Sequence, residues 1–347
     1  MTTITPTPQK PWRASKRERS FDFAILIGGF LASYLLVALT PMKGKLAYFA
    51  LFFISYALLT AVLKGLTRGS AAAKDALVSS LVVVGAVVTV IPIGSILLTV
   101  LQKGLPGISF GLFTHDMALA TPTDPLANGG LLHAITGTLT LVALALIMSV
   151  PIGILTALYL TEIKGRFTGP IRFLVQAMSG VPSIVAGLFI LSAVLYPITK
   201  AYSGFMGALA LTILMIPTIA RTSEEVLKLV PDDLRSAGYA LGARQWRSTL
   251  IVVLPTVRSG LITAGLLGVA RVIGETAPLL ATALSNTSFV FNPVSGPIGS
   301  LPMYIFGMLQ IGTENSINRA WTGALILLIL VFGLFTLARY VAGKDKR

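Results

Sequence analysis

Cysteine is absent from the 347 residues, which excludes disulfides and thiolate metal sites. Histidine occurs only as His115 and His133, too far apart for a local ligand pair, so no metal site is expected. Charge is scarce as well: Asp, Glu, Lys and Arg make up 12% of the chain, about half the share in an ordinary soluble domain. Carboxylates are the rarer sign, 13 against 27 cations. Apart from Glu162 and the acids Glu224, Glu225, Asp232 and Asp233 they do not gather, as they would in a membrane enzyme. No Gly-x-x-x-x-Gly-Lys-Ser/Thr loop occurs, so the chain has no such route to ATP, and no cofactor of its own is expected.

Apolar residues are what the sequence has instead, at 54% with a mean hydropathy of +0.84. They fall in runs of about 18 or more, the length that crosses a hydrocarbon core of roughly 30 Å. Backbone amides in lipid need partners within a helix or a closed barrel, and the short alternating pattern of barrel strands is missing. The fold class expected is therefore an all-α polytopic membrane protein. Eight spans are predicted, near residues 22–39, 46–63, 76–101, 132–160, 170–196, 204–220, 259–283 and 320–341. The first is read as a retained span rather than a cleaved signal, because no convincing cleavage site precedes Pro41.

The net charge of +14 would suggest a nucleic-acid partner in a soluble chain, but its distribution excludes that reading. With both termini on the cytoplasmic side, 21 of the 27 cations fall inside and five outside: Lys43, Lys45, Lys103, Lys200 and Arg319. The excess is a topology signal in a lipid bilayer. Only Arg271 remains in the interior of a span, away from its ends. The predicted organisation is a basic cytoplasmic tail at 1–20, a helix pair at 21–64 and a main membrane domain at 76–341. Two stretches rich in Gly, Pro, Ser, Thr and Asn lie outside, at 102–131 and 284–319; the apolar segment Leu301 to Ile311 in the second is too short to span.

The inside loop at 222–258 is the most informative stretch. Pro231, Asp232 and Asp233 favour a helix start, small and apolar residues follow at three- and four-residue steps, and Gly242 is placed to end the helix in a left-handed cap. Ser236-Ala237-Gly238, three residues, Gly242, nine residues, then Val252-x-Leu254-Pro255 resembles the cytoplasmic-loop signature of ABC-importer permeases, Glu-Ala-Ala…Gly…Ile-x-Leu-Pro. Every spacing is kept, while Ser236, Gly238 and Val252 depart in identity. The resemblance implies that Ser236, Ala237, Gly238, Gly242, Val252, Leu254 and Pro255 form the coupling signature, whose short helix docks on a separate ATPase with residues 231–247.

Further stretches resemble the A-type permease subunits of the phosphate-specific ABC importers. They are Gly137-Thr138-Leu139 with Val150-Pro151-Ile152-Gly153 and Tyr159-Leu160-Thr161-Glu162; Gly180 to Phe189; Arg271-x-x-Gly274-Glu275-Thr276-Ala277-Pro278; and Pro302-Met303-Tyr304-Ile305. That family commonly has six spans, so the pair at 21–64 is an addition. A cation at the centre of a span costs roughly 2.5–3.5 kcal/mol even on lenient scales, so Arg271 needs a partner. Glu275, four residues on, is the candidate. The resemblance implies that Arg271 lies on the phosphate path with Glu275 holding it, and that Arg221, at the inner end of the sixth span, is a second path residue. It also implies the partners: a second homologous permease subunit, an ATPase dimer that binds the ATP, and an extracytoplasmic phosphate-binding protein. Residue chemistry alone leaves a permease for sulfate, molybdate or phosphonate open, since one arginine serves any tetrahedral anion. A secondary transporter is disfavoured because no internal repeat is found.

Overall fold

In a computed structural model of the chain, which describes residues 16–41 and 43–343, the apolar runs are helical and no strand occurs among the described residues. Most of the basic tail and the last four residues, with Lys10, Arg13 and three C-terminal cations, lie outside them. Six helices are long and apolar enough to cross a membrane, and eight crossings result if two sharply bent helix pairs each count as one. The chain divides into two compact units, residues 1–97 and 98–347.

In the first unit, α1 (Lys16–Leu39) and α2 (Lys45–Arg68) form a hairpin. Gly29 lets the two backbones close, since a Cβ there would stand 3.3 Å from Tyr56. Lys64 pairs with Asp22 at 3.3 Å. The helix α1 begins inside the stretch read from the sequence as a tail. A third helix, α3 (Ser70–Gly104), is a long, mostly exposed rod.

The second unit is built around α7 (Gly204–Lys228), which packs on α4 (Leu132–Leu158), α5 (Thr168–Ser179), α6 (Ser183–Ile190), α9 (Arg258–Val272) and α10 (Ala277–Thr282). Lipid tails are as apolar as leucine, so helices associate in a membrane by close fit rather than by hydrophobic exclusion. Small residues supply that fit. A Cβ on Gly153 or Gly268 would come within 2.8 Å of Ile219, and one on Gly207 within 3.1 Å of Leu141 and Leu279. Leu141, Ala145, Leu211, Met215, Val269 and Val272 fill the core between them.

Two predicted spans are broken. The fifth, read as 170–196, bends by 106° between α5 and α6, at Gly180-Val181-Pro182. The seventh, read over 259–283, stops at Val272 and resumes at Ala277, while the second sharply bent pair joins residues 245–256 to α9 at 74°. Gly274 is a poor helix former and Pro278 lacks the N–H that would have bonded its carbonyl, so the turn between them is easily lost. Instead of ending at residue 220, α7 runs on to Lys228, taking two turns from the predicted loop.

The two stretches read as external are tied together and to α11 (Leu301–Ile311) and α12 (Glu314–Gly343). Asp116 accepts the Phe289 amide at 2.9 Å, and these backbone bonds hold its carboxyl below the usual range. Arg319, read as an outer surface cation, is 4% exposed; its Nη2 donates to the carbonyls of Asp124, Pro125 and Asn128 at 2.7–3.2 Å. His133 is buried with its ring edge-on to Tyr304.

Candidate functional site

Arg271 occupies the last turn of α9, not the middle of an unbroken helix, and its side chain is 43% exposed. Glu275 lies in the interruption before α10, its amide bonded to the Val272 carbonyl at 3.0 Å. The two side chains form the ion pair that their spacing suggested, through Arg271 Nη1 and Glu275 Oε1. One nitrogen is therefore engaged while the rest of the guanidinium stays open to a further acceptor. Three residues beyond Glu275, α6 packs on the chain: a Cβ on Gly187 would lie 2.7 Å from Pro278 Cα, so backbone meets backbone where the helix resumes.

Arg221 is exposed on α7 and makes no salt bridge to a described residue. The register of α7 against α9 relates it to Arg271. Val226 faces Gly260 and Ile219 faces Gly268, so the helices run antiparallel. Arg221 then lies about 8 Å along the axis from Arg271, toward the loop end, from the rise of 1.5 Å per residue.

That loop begins with α8 (Asp232–Ala240), the helix predicted after Pro231. Gly242 has φ +79°, and the amides of Gly242 and Ala243 bond to the carbonyls of Tyr239 (2.9 Å) and Gly238 (3.2 Å). Those two bonds are the Schellman closure expected of a left-handed glycine after a helix. Gly238 is buried against Ser248, and a Cβ there would approach its hydroxyl to 2.6 Å. This chain therefore has glycine at the signature's second alanine because a serine side chain occupies the space. Ser236 and Ala237 are exposed, as are Leu234, Tyr239, Leu241 and Trp246, which leaves an apolar face uncovered on a polar loop. Val252 is half-buried, Pro255 is exposed, and Leu254 packs on the cluster of Ala157, Leu227 and Val257 at the loop end of the core.

Sequence reasoning missed the group that fastens this loop. Arg235 projects from α8 to Glu162, which sits on a π-helical turn (Tyr159–Ile163) continuing α4. Nε reaches both carboxylate oxygens at 3.2 and 3.3 Å and Nη2 reaches one at 3.0 Å. Nη2 also donates to the Leu227 carbonyl at 3.0 Å, and Nη1 to the Val230 carbonyl at 2.6 Å and to Asp232 at 3.0 Å. Hydrogen bonding to Glu162 is the main reason the guanidinium holds its proton even more firmly than usual. Beside it Arg172 and Lys228 share Glu224 at 2.8 and 3.1 Å. The sequence signal was weak: Glu162 is one of only five acids that gather, with Glu224, Glu225, Asp232 and Asp233, and nothing in their spacing pairs it with Arg235.

Comparison with known proteins gives the family. Residues 149–344 match the model of the binding-protein-dependent transport system inner membrane component family. The chain is 40% identical over 253 residues to the phosphate transport system permease protein PstA of Yersinia pestis, covering 72% of this chain and 84% of that one. It is 41% identical to the protein of the same name in Pasteurella multocida (70% and 85%) and 39% identical to that of Mycobacterium leprae (71% and 81%). In fold it is similar to a chain of the MetNI methionine ABC transporter in an inward-facing conformation, with a TM-score of 0.50 at 19% identity, over 61% of this chain and 95% of that one. Six to eight apolar spans, the family model and these relatives lead to one assignment: the chain belongs to the family of phosphate transport system permease proteins, multi-pass inner-membrane components of binding-protein-dependent transporters.

Proposed function

We propose that this chain is the transmembrane permease subunit of an ATP-driven phosphate importer, forming half of the channel with a second, homologous permease. The observation that carries the reading is the open Arg271 guanidinium beside Glu275, at the break of a membrane-level helix. Facing lipid, such a cation would cost a few kcal/mol, so its exposed side belongs against an aqueous path. There it offers two adjacent N–H groups to a tetrahedral anion while Glu275 keeps it aimed. Arg221 provides a second attractive charge farther along the same route.

The subunit itself is non-catalytic in this reading. Energy arrives from a separate ATPase dimer through α8, whose uncovered Leu234, Ala237 and Leu241 suit a groove on a partner. An extracytoplasmic binding protein delivers the phosphate, and both termini lie in the cytoplasm, as the charge split requires. The phosphate permease relatives favour phosphate over other oxyanions. The test is uptake into proteoliposomes holding the complete complex. Labelled phosphate should accumulate only with ATP and should resist excess sulfate or molybdate. Accumulation of sulfate or molybdate in place of phosphate would reassign the substrate, and uptake without the ATPase would overturn the mechanism.

A further inference from the structure

The coupling helix α8 is joined to the membrane helices by very few polar bonds, and they converge on one point. Among the described residues, Arg235 is the only side chain of α8 that hydrogen-bonds to a membrane-spanning segment. Its guanidinium, 17% exposed, reaches a carboxylate that is 5% exposed at the end of the α4 span, the Leu227 carbonyl in the last turn of α7 and the Val230 carbonyl just past it. The return arm of the loop meets the same residue, because Gln245 Nε2 donates to the Glu162 main-chain carbonyl at 2.6 Å.

Two features make this junction more than a brace. Glu162 stands on a π-helical turn that ends in Lys164 with φ +50°, and the return arm contains a second one, Thr249–Val253, packed on α8. A π turn carries one residue more than the α ladder needs, so it can shift register by one residue while keeping its hydrogen bonds. A polar cleft of about 390 Å³ also opens beside the pair, lined by Lys164, Arg172, Lys228 and Tyr239, so the side chains have room to travel.

We infer that the Arg235–Glu162 pair is the latch through which movement of the coupling helix is delivered to the α4 span, with Arg235 and Glu162 as positioning residues for transport. Apolar contacts alone would let α8 slide when the ATPase moves it, whereas a forked guanidinium resists both sliding and rotation. This inference rests on the reading of the chain as an ATP-driven permease. It predicts that breaking the latch separates ATP hydrolysis from transport without removing the subunit from the complex.

The test is the number of phosphates imported per ATP hydrolysed by the reconstituted complex. Glu162→Gln keeps the shape and one acceptor but loses the charge, and should lower that ratio about tenfold, within the range of measured couplings between sites. Because the chain has no cysteine, Arg235→Cys with Glu162→Cys places a unique thiol pair among cysteine-free partners. Reduced, this variant should hydrolyse ATP with little import. Joined by a short bifunctional thiol reagent, it should recover most of the lost ratio, which a merely structural pair would not do. A parental ratio in Glu162→Gln or in the reduced double variant, or no recovery on cross-linking, would overturn the latch. An unmutated complex that hydrolyses ATP without importing phosphate would instead overturn the permease reading.

Discussion

Two of the arginine–glutamate pairs among the described residues, Arg235–Glu162 and Arg271–Glu275, differ in almost everything except composition. Arg235 and Glu162 are 73 residues apart, and every nitrogen of that guanidinium has a partner. Arg271 and Glu275 are four residues apart on a broken helix, and only one nitrogen is taken. A saturated, enclosed guanidinium has nothing left to offer a ligand and serves as a mechanical joint. An open one held by a single carboxylate oxygen can accept a passing anion without first breaking its support. On the proposed reading, the same two residue types yield a fastening in one place and a binding group in the other, and the number of free N–H groups decides which.

The largest expected effect tests this division through stability. Arg235→Ala strands a buried carboxylate, a change that costs about 3 kcal/mol or more when a buried pair is broken. The thermal unfolding midpoint of the purified subunit should fall clearly. Arg271→Ala removes a half-exposed group and should lower it far less. Equal losses would mean that the two pairs are alike in function.

A second intervention disturbs one pair and spares the other. Gly187→Ala forces a Cβ against the Pro278 backbone, and overpacking of this kind costs about 1–3 kcal/mol. The break that holds Glu275 should shift, raising the phosphate concentration needed for half-maximal uptake while import per ATP stays constant. A fall in the ratio instead would show that the helix break and the coupling loop are not separable.

A smaller effect is expected at the end of α8. Gly242 has φ +79° and no atoms near its would-be Cβ, so Gly242→Ala carries only backbone strain, about 1–2 kcal/mol. Cross-linking of a cysteine at Ala237 to the ATPase should weaken, and Gly242→Asn should retain more of it, since asparagine tolerates the left-handed region. Unchanged cross-linking in Gly242→Ala would show that the cap does not set the direction of the loop.

Much of this was legible in the sequence, and the boundary is physical. Length and hydropathy revealed the spans because lipid leaves a chain little alternative to a helix. The cap at Gly242 and the pairing of Arg271 with Glu275 were legible because both are local, settled within five residues. The break after Val272 was foreshadowed by Gly274 and Pro278, but propensity does not say on which side of Arg271 a helix will open. The Arg235–Glu162 bond, the Arg172–Glu224 bond and the Asp116–Phe289 tie span 73, 52 and 173 residues, and no periodicity encodes such partners. Arg319 shows the same limit: its partners are carbonyls, which every residue carries, so nothing in the sequence distinguishes it from a surface cation.

The central claim is that Arg271 meets the substrate, and import by an Arg271 series tests it most directly. Arg271→Lys keeps a cation but loses the planar fork and should import at a reduced rate, whereas Arg271→Gln should import almost nothing. Glu275 must be neutralised in parallel, so that no orphan charge accounts for the loss. The double variant Arg271→Gln with Glu275→Gln should assemble with its ATPase, hydrolyse ATP and fail to import phosphate; import at the parental rate by that assembled double variant would contradict the account and place the path elsewhere.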